Sequence, residues 1–307
     1  MKTVLNAALN DIPIIDAHQH FWDPRVNYHP WLCDEPPIPF RYGDYRALRR
    51  PYLPRDYLED AQRFHVAGTV YVEAEWSPGE AIAEMRYIAQ LRNTTGYPSV
   101  AVAQAWLDRP DAPDQLAQLS DFSFVRGIRH KPRANASQRD AEPGGMADSA
   151  WRRGFGELAR QGLRFDLQTP WWHLHEAAAL ARDFPTTQII VNHTALPGDR
   201  SPAGLSGWRA ALKQVADCPN VALKVSGLGM PDQPWTAQSN REIVLAAIEL
   251  FGTDRCMFAS NFPVDSLCAS FDVIFEGYSR IVQDFTHEDR RKLFHDNAVR
   301  IYELSHI

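Results

Sequence analysis

Cysteine is scarce and unpatterned in this chain. Among its 307 residues there are four cysteines and no Cys-x-x-Cys pair: Cys33, Cys218, Cys256 and Cys268. Such wide spacing excludes a disulfide-rich small fold and a cysteine-based zinc module, and it is typical of a reducing compartment. We therefore expect a cytoplasmic protein whose cysteines are buried and act as small hydrophobic residues.

The chain also lacks the marks of membrane and nucleic-acid-binding proteins. No apolar run approaches the ~20 residues that span a bilayer, and residues 1–10 are too short an apolar patch for a secretory leader. A net charge of -6 and a pI near 6.0 give no basic surface for nucleic acid or anionic lipid. The expected partner is a small-molecule substrate, with no nucleic acid and no membrane, and a homo-oligomer stays open.

The remaining composition is that of a globular protein with a large core, 45% hydrophobic and 23% charged, and we expect a single domain over residues 1–307. Short β-rich segments alternate with helical stretches, and the predicted strands are residues 14–20, 68–76, 99–106, 124–130, 163–169, 188–193, 220–226 and 255–260. Eight β/α units predict a parallel (β/α)8 TIM barrel. An open doubly wound sheet is the alternative, but no glycine-rich phosphate turn follows the first strand.

Two segments fall outside the repeating β/α pattern. Residues 21–53 are rich in aromatic residues and proline, with no clear helical or strand period. This long loop after strand 1 is interpreted as a packed cover over the mouth of a site; the alternative is a satellite hydrophobic cluster. Residues 266–283 and 287–304 predict extra C-terminal helices.

The first predicted strand ends in two histidines. Since side chains alternate along a strand, His18 and His20 point the same way at its C-terminal end. That pair suits a metal ion or a polarised carbonyl group. The alternative is that one histidine is satisfied within the core while the other is solvated.

Polar side chains also close the other predicted strands, where barrels carry their active sites. Glu73, Arg129 and Lys224 interrupt apolar strands, so each needs a ligand or an ion-pair partner, and they could pair with one another. His193 ends the run 189–191 and is interpreted as a site residue rather than a satisfied core histidine. Trp172 begins a loop where it could stack on a sugar ring or pack between barrel and helix.

Four motifs, in this order, resemble the amidohydrolase superfamily and in particular its sugar-lactonase branch. That branch includes L-fuconolactonases, L-rhamnonolactonase-like enzymes and pyrone-dicarboxylate lactonases. The motifs are DAHQHFW at 16–22, VNH at 191–193, KVSGL at 224–228 and MFASNFPV at 257–264. The resemblance spans nearly the whole chain and implies a TIM barrel that hydrolyses a lactone.

The resemblance also implies roles for individual residues. His18, His20 and His193 would bind a divalent metal or polarise the lactone carbonyl, and Arg129 would grip hydroxyl or carboxylate groups. Further substrate contacts are expected from Gln168, Trp172 and Lys224. Asn261 stands where the family usually has an aspartate that activates water or binds metal, and an amide cannot take a proton at neutral pH.

The missing base leaves several alternatives. Glu73, Glu75 or Asp265 could replace it, a metal alone could activate water, or the protein could hydrolyse nothing. We favour Glu73 as both base and metal ligand, beside His18 and His20.

The resemblance limits the metal content to one ion. Two-metal members rely on a carboxylated lysine, and predicted strands four and five place no lysine inside. Zinc is expected because it favours histidine, with His193 as an alternative third ligand to Glu73, and metal-free catalysis is the other option.

The predicted function is therefore hydrolysis of a sugar-acid or related lactone. Two alternatives stay open: decarboxylation or hydration of a small carboxylic acid on the same barrel, and binding of a sugar acid without turnover because of Asn261.

Overall fold

Eight parallel strands follow one another in chain order around a single sheet. The computed structural model describes residues 11–140 and 142–304, so the expectation about a leader in residues 1–10 lies outside the described part. The strands are Ile14–Gln19 (β1), Val66–Val72 (β2), Val100–Gln104 (β3), Val125–Arg129 (β4), Arg164–Leu167 (β5), Ile189–Val191 (β6), Val221–Val225 (β7) and Cys256–Phe258 (β8). Each coincides with a predicted strand, although most end a few residues earlier.

The sheet closes where β1 meets the segment after β8. The Asn261 N–H donates to the His18 carbonyl at 2.8 Å, and the His20 N–H donates to the Phe262 carbonyl at 2.8 Å. The last strand is thus joined to the first by backbone hydrogen bonds. The predicted TIM barrel is confirmed, and the open doubly wound sheet is excluded.

Helices fill the outside of the barrel and the C-terminal part of the described chain. They are Pro30–Cys33 (α1), Pro54–Asp60 (α2), Ala81–Thr95 (α3), Ala112–Ser120 (α4), Ser149–Arg160 (α5), Leu174–Asp183 (α6), Pro202–Ala216 (α7), Ala237–Phe251 (α8), Phe271–Ile281 (α9), His287–Arg291 (α10) and Asn297–Tyr302 (α11). The helix predicted from residue 266 begins only at α9, because the Ser270 side chain accepts the Val273 N–H and caps it there.

One end of the barrel is filled by apolar packing. Ile15, Val102 and Ile190 from the strands form one buried cluster with Ile301 and Tyr302 of α11. Arg164, the first residue of β5, donates from Nε to the Ile301 carbonyl at 2.7 Å, so α11 lies at the N-terminal ends of the strands. In the described part of the chain, the opposite mouth, at the C-terminal strand ends, is open to hold a substrate.

The four cysteines do not all follow the prediction. Cys218 and Cys256 are buried as expected, but Cys33 is exposed and Cys268 is half-buried. Cys33 ends α1 in the loop after β1, where the chain packs mainly through its aromatic residues. The prediction that all four cysteines are buried is therefore wrong for Cys33.

Candidate active site

An irregularity in β1 turns the two histidines into the barrel. Asp16 pairs with Thr69, but Gln19 pairs with Tyr71, so β1 carries one extra residue over this stretch. Asp16, just before this bulge, accepts a hydrogen bond from Tyr57 of α2 at 2.9 Å, while Ala17, within the bulge, belongs to the same buried cluster as Ile15 and Tyr302. The bulge reverses the alternation, as bulges near active sites commonly do. Asp16 therefore anchors the outside of the strand, and the histidines that follow face inward.

His18 and His20 face each other through their Nε2 atoms, which lie 3.2 Å apart. The other ring nitrogen of His20, Nδ1, lies 2.7 Å from the Val72 carbonyl oxygen. A carbonyl can only accept, so Nδ1 carries the proton and Nε2 of His20 presents a lone pair. The ring of His193 is the next neighbour, with its centroid 4.5 Å from that of His18.

All three imidazoles are held neutral. Burial, reinforced by the charge of Arg129, lowers the pKa of His20 to about 3. Burial also lowers the pKa of His18, with help from the Lys224 charge, and that of His193, with help from Arg41. At neutral pH the trio therefore offers lone pairs rather than positive charge.

His193 sits on a strained turn. The φ angles of His193, Thr194, Ala195 and Leu196 are 53°, 50°, 57° and 57°, all left-handed without a glycine. Each such residue costs about 1–2 kcal/mol, and strain of this kind concentrates at functional sites. The indole Nε1 of Trp208 holds the turn by donating to the Thr194 carbonyl at 2.7 Å.

The same ring is fitted closely against β7. Its Nδ1 lies 2.9 Å from the Ser226 hydroxyl oxygen. Gly227 leaves the space that the ring occupies, since a β-carbon there would come within 2.8 Å of His193 Cγ. The position of the His193 ring is thus set on both sides.

A cavity of about 340 Å³ opens over the histidines. Its wall contains His20, His193 and Asn261 from the strand ends, and Trp31, Ile38, Phe40 and Arg41 from the loop after β1. The loop therefore covers the mouth, as predicted. Three cations line the cavity: Arg41, Arg129 and Lys131. Each is paired with a carboxylate: Arg41 with Asp265, Arg129 with Glu73 and Lys131 with Glu75. The cavity therefore offers N–H donors beside neutral imidazoles, which suits a substrate rich in oxygen or carrying a carboxylate.

Glu73 is occupied by its neighbours. Its Oε1 accepts from Arg129 Nε at 2.5 Å, and its Oε2 accepts from the Glu75 N–H at 2.7 Å. Arg129 in turn donates to the Gln168 side chain at 3.1 Å, so Gln168 lies at the cavity where it was expected. Glu73 itself lines a neighbouring cavity instead. The pairing holds the guanidinium in place over the barrel mouth.

The predicted metal ligands are only partly brought together. Within residues 11–140 and 142–304, no three side chains of His, Cys, Asp or Glu converge as a metal site, so the set His18, His20 and Glu73 is not assembled. The two histidines alone do fit an ion. Two nitrogens bound to one tetrahedral zinc at 2.0–2.1 Å lie roughly 3.3 Å apart, close to the 3.2 Å between the Nε2 atoms.

Asn261 is backed by a buried acid. Its Nδ2 donates to Asp265 Oδ1 at 2.5 Å, and the Tyr42 hydroxyl donates to the same oxygen at 3.0 Å. Burial raises the pKa of Asp265 to about 6, although Arg41 nearby opposes the shift. The carboxylate that the sequence lacks at 261 is therefore present one helical turn later, behind the amide.

The raised pKa of Asp265 makes stability depend on pH. Folded Asp265 holds its proton more tightly than the unfolded chain does, so its contribution to the stability of the wild type is lost as pH rises from below 4 to above 6. Asp265→Asn does not titrate. We expect the difference in unfolding free energy, variant minus wild type, to increase by about 3 kcal/mol from pH 3 to pH 7, measured by urea denaturation.

Asp148→Asn is the control of opposite sign. Hydrogen bonds from the Trp151 and Ala150 N–H groups lower the pKa of Asp148. The unfolding free energy of this variant should therefore fall relative to that of the wild type as pH rises. Equal slopes for the wild type and Asp265→Asn would show that Asp265 is not held protonated by burial.

Two residues predicted to bind substrate lie elsewhere. Lys224 is fully buried inside the barrel and pairs with Asp166 at 2.5 Å, away from the cavity lining. Trp172 donates to the Asn135 carbonyl at 3.1 Å and lines a separate surface cavity. The alternative interpretations fit their positions: Lys224 forms an ion pair, and Trp172 packs outside the candidate site.

Sequence reasoning missed Arg41 and Tyr42 in the loop after β1. Nothing in their local pattern marks them, since the loop folds back onto the strand ends over a long distance. The same loop holds four other arginines, so the sequence does not single out Arg41 among them.

The inward histidines lie at the C-terminal mouth of a parallel barrel, where TIM-barrel enzymes carry their active sites. Residues 15–304 match the family described as Amidohydrolase, and the chain belongs to that family. The resemblance seen in the motifs is thereby confirmed.

Similar proteins extend over most of the chain. An uncharacterised protein of Sinorhizobium fredii, y4mH, is 41% identical over 299 residues, covering 96% of this chain and all of that protein. An L-fucono-1,5-lactonase of Burkholderia multivorans is 27% identical over 303 residues, covering 94% and 96%. A crystal structure of a Burkholderia multivorans amidohydrolase with bound zinc superposes with a TM-score of 0.78 at 25% identity, covering 95% and 99%. Separately, no helix among the described residues is long and apolar enough to cross a membrane.

Proposed function

We propose that this amidohydrolase-family hydrolase opens the ring of a sugar-acid or related lactone. The observation that carries the proposal is the neutral His18–His20 pair beside His193, facing a cavity lined by three cations. Similarity to the L-fucono-1,5-lactonases supports it. A sugar-acid lactone is an activated ester that carries hydroxyl groups, and it matches both the lone pairs of the histidines and the N–H donors of the cations.

Substrate binding falls to the cations. Arg129 is fixed by Glu73 and Gln168, so its guanidinium is already oriented when the substrate enters. Arg41 comes from the covering loop and lines the same cavity. Together they hold hydroxyl groups and stabilise the negative charge that develops on the carbonyl oxygen when water adds.

Proton transfer falls to the histidines. His193 lines the cavity, and in the tautomer in which its Nδ1 donates to the Ser226 hydroxyl, Nε2 accepts the proton of the attacking water. We prefer His193 to Glu73 as the base, because both oxygens of Glu73 already accept hydrogen bonds. Zinc bound to the Nε2 atoms of His18 and His20 would polarise the carbonyl and acidify water.

The test is an assay of acid release from a panel of aldonolactones, with the chain purified without chelator and then with added zinc. We expect ring opening of at least one member, with Glu73→Gln losing substrate affinity through a misplaced Arg129 more than it loses kcat. An exposed carboxylate, Glu59→Gln on α2, is the matched control. No turnover of any lactone under either condition would refute the proposal.

The same cations favour a second candidate, decarboxylation of a small carboxylic acid, since Arg41, Arg129 and Lys131 would bind a substrate carboxylate. Product analysis separates the two, because only decarboxylation releases carbon dioxide. Binding without turnover is tested by Asn261→Asp: a gain of activity from an inactive wild type would support it.

A further inference from the structure

A second cavity, of about 320 Å³, lies directly beside the first. The two share one wall, formed by Trp31, Ile38, Glu75, Arg129 and Lys131. Each volume is at the lower end of the 300–1,000 Å³ range of small-ligand pockets. A ligand that occupied both would therefore be twice the size of a single ring.

The second cavity has the lining of a carbohydrate site. Trp76 and Trp106 supply flat aromatic faces, and Gln104 adds a polar amide. Among the described residues, neither Gln104 Oε1 nor Trp106 Nε1 has a hydrogen-bond partner. Both atoms are buried behind the cavity lining. One is an acceptor and the other a donor, so a sugar hydroxyl that reaches them when these side chains adjust can serve both roles. An aromatic platform with unmet hydrogen-bonding capacity suits a hydroxylated ring better than a purely apolar one.

The shared wall is the part most easily rearranged. Lys131 and Glu75 form an ion pair there, with 38% and 41% of their side chains exposed. Solvent screens such a pair, so opening it costs little compared with the hydrogen bonds that a substrate offers in exchange. Arg129, by contrast, is buried and doubly held, and remains as a fixed contact between the cavities.

From these observations we propose that the second cavity is a subsite for a sugar ring attached to the lactone, so that the preferred substrate class is a disaccharide aldonolactone. The reacting lactone occupies the cavity over His20 and His193, and the glycosyl ring lies between Trp76 and Trp106. This assignment rests on the proposed lactone hydrolysis and adds the size of its substrate.

The experiment compares glucono-1,5-lactone with cellobiono-1,5-lactone. We expect the wild type to have a higher kcat/KM for the disaccharide lactone. Trp106→Ala should raise KM for the disaccharide lactone about fivefold more than KM for the monosaccharide lactone, because it removes the stacking face. Gln104→Leu should shift the same ratio in the same direction, and it guards against a folding defect in the tryptophan variant. Trp172→Ala, at the separate surface cavity, is the matched control and should leave the ratio unchanged.

Calorimetric binding of the two product acids, gluconate and cellobionate, separates the subsite from the reaction. Hydrolysis of both lactones with equal kcat/KM, and with no change of ratio in Trp106→Ala, overturns the subsite and leaves the lactonase proposal intact. Tighter binding of cellobionate that is lost in Trp106→Ala, without hydrolysis of either lactone, supports the subsite and overturns the reaction. Absence of both hydrolysis and preferential binding overturns both.

Discussion

His20→Gln should lower kcat/KM for a hydrolysed lactone by about 10²–10⁴. The substitution removes the Nε2 lone pair that faces His18 at 3.2 Å, and a flexible amide cannot reproduce the orientation set by the Val72 carbonyl. Losses of this size are typical when a group that takes part in proton transfer or holds an electrophile is removed. Steady-state kinetics with the best lactone of the panel is the measurement.

His65→Gln is the matched control for that result. His65 is exposed just before β2, far from the cavity lining, and its replacement should leave kcat/KM within about twofold. Zinc content measured on the same samples adds a second readout, because a pair that holds an ion should lose zinc together with activity. An activity of His20→Gln close to that of the wild type would remove the histidine pair from the chemistry.

Lys224→Met should lower the free energy of unfolding by about 3–5 kcal/mol. Lys224 and Asp166 are both fully buried and lie 2.5 Å apart, so the substitution leaves a carboxylate without its counter-charge inside the barrel. Removing one partner of a buried ion pair costs this much because the remaining charge stays desolvated. Urea denaturation followed by fluorescence measures the change.

Two further variants define the origin of that loss. Lys213→Met breaks an exposed pair with Asp217 on α7 and should change stability by less than about 1 kcal/mol. The double variant Asp166→Asn/Lys224→Met removes both charges and should recover part of the loss. A double variant as unstable as the sum of the two single changes would assign the effect to packing rather than to charge.

The barrel could be predicted because each strand is a short apolar run with a polar end, and this signal is local. The same signal predicted that eight polar or aromatic residues lie near one mouth. The structure brings six of them together there: His18, His20, His193, Arg129, Gln168 and Asn261. Lys224 and Trp172 lie elsewhere. Lys224 does not reach the mouth because it lies inside β7, before the last strand residue Val225, and its ammonium group pairs with Asp166 of β5 in the barrel interior.

What sequence reasoning could not supply depends on contacts between distant segments. The choice of Glu73 as base assumed a free carboxylate, yet its partner Arg129 is on another strand, 56 residues away. The acid behind Asn261 was among the alternatives, but its partner Tyr42 lies 223 residues away in the loop after β1. Neither pairing leaves a trace in local periodicity.

Helix α11 ties the end of the described chain to its middle. The Tyr302 hydroxyl lies 2.8 Å from Asp166 Oδ2, and its ring lies 5.0 Å from the Lys224 ammonium group. During synthesis, β5 and β7 emerge from the ribosome well before this tyrosine does. Asp166 and Lys224 therefore lack their contacts with Tyr302 until α11 has been synthesised. In a nascent chain arrested before residue 302, this buried ion pair would not be covered by the tyrosine.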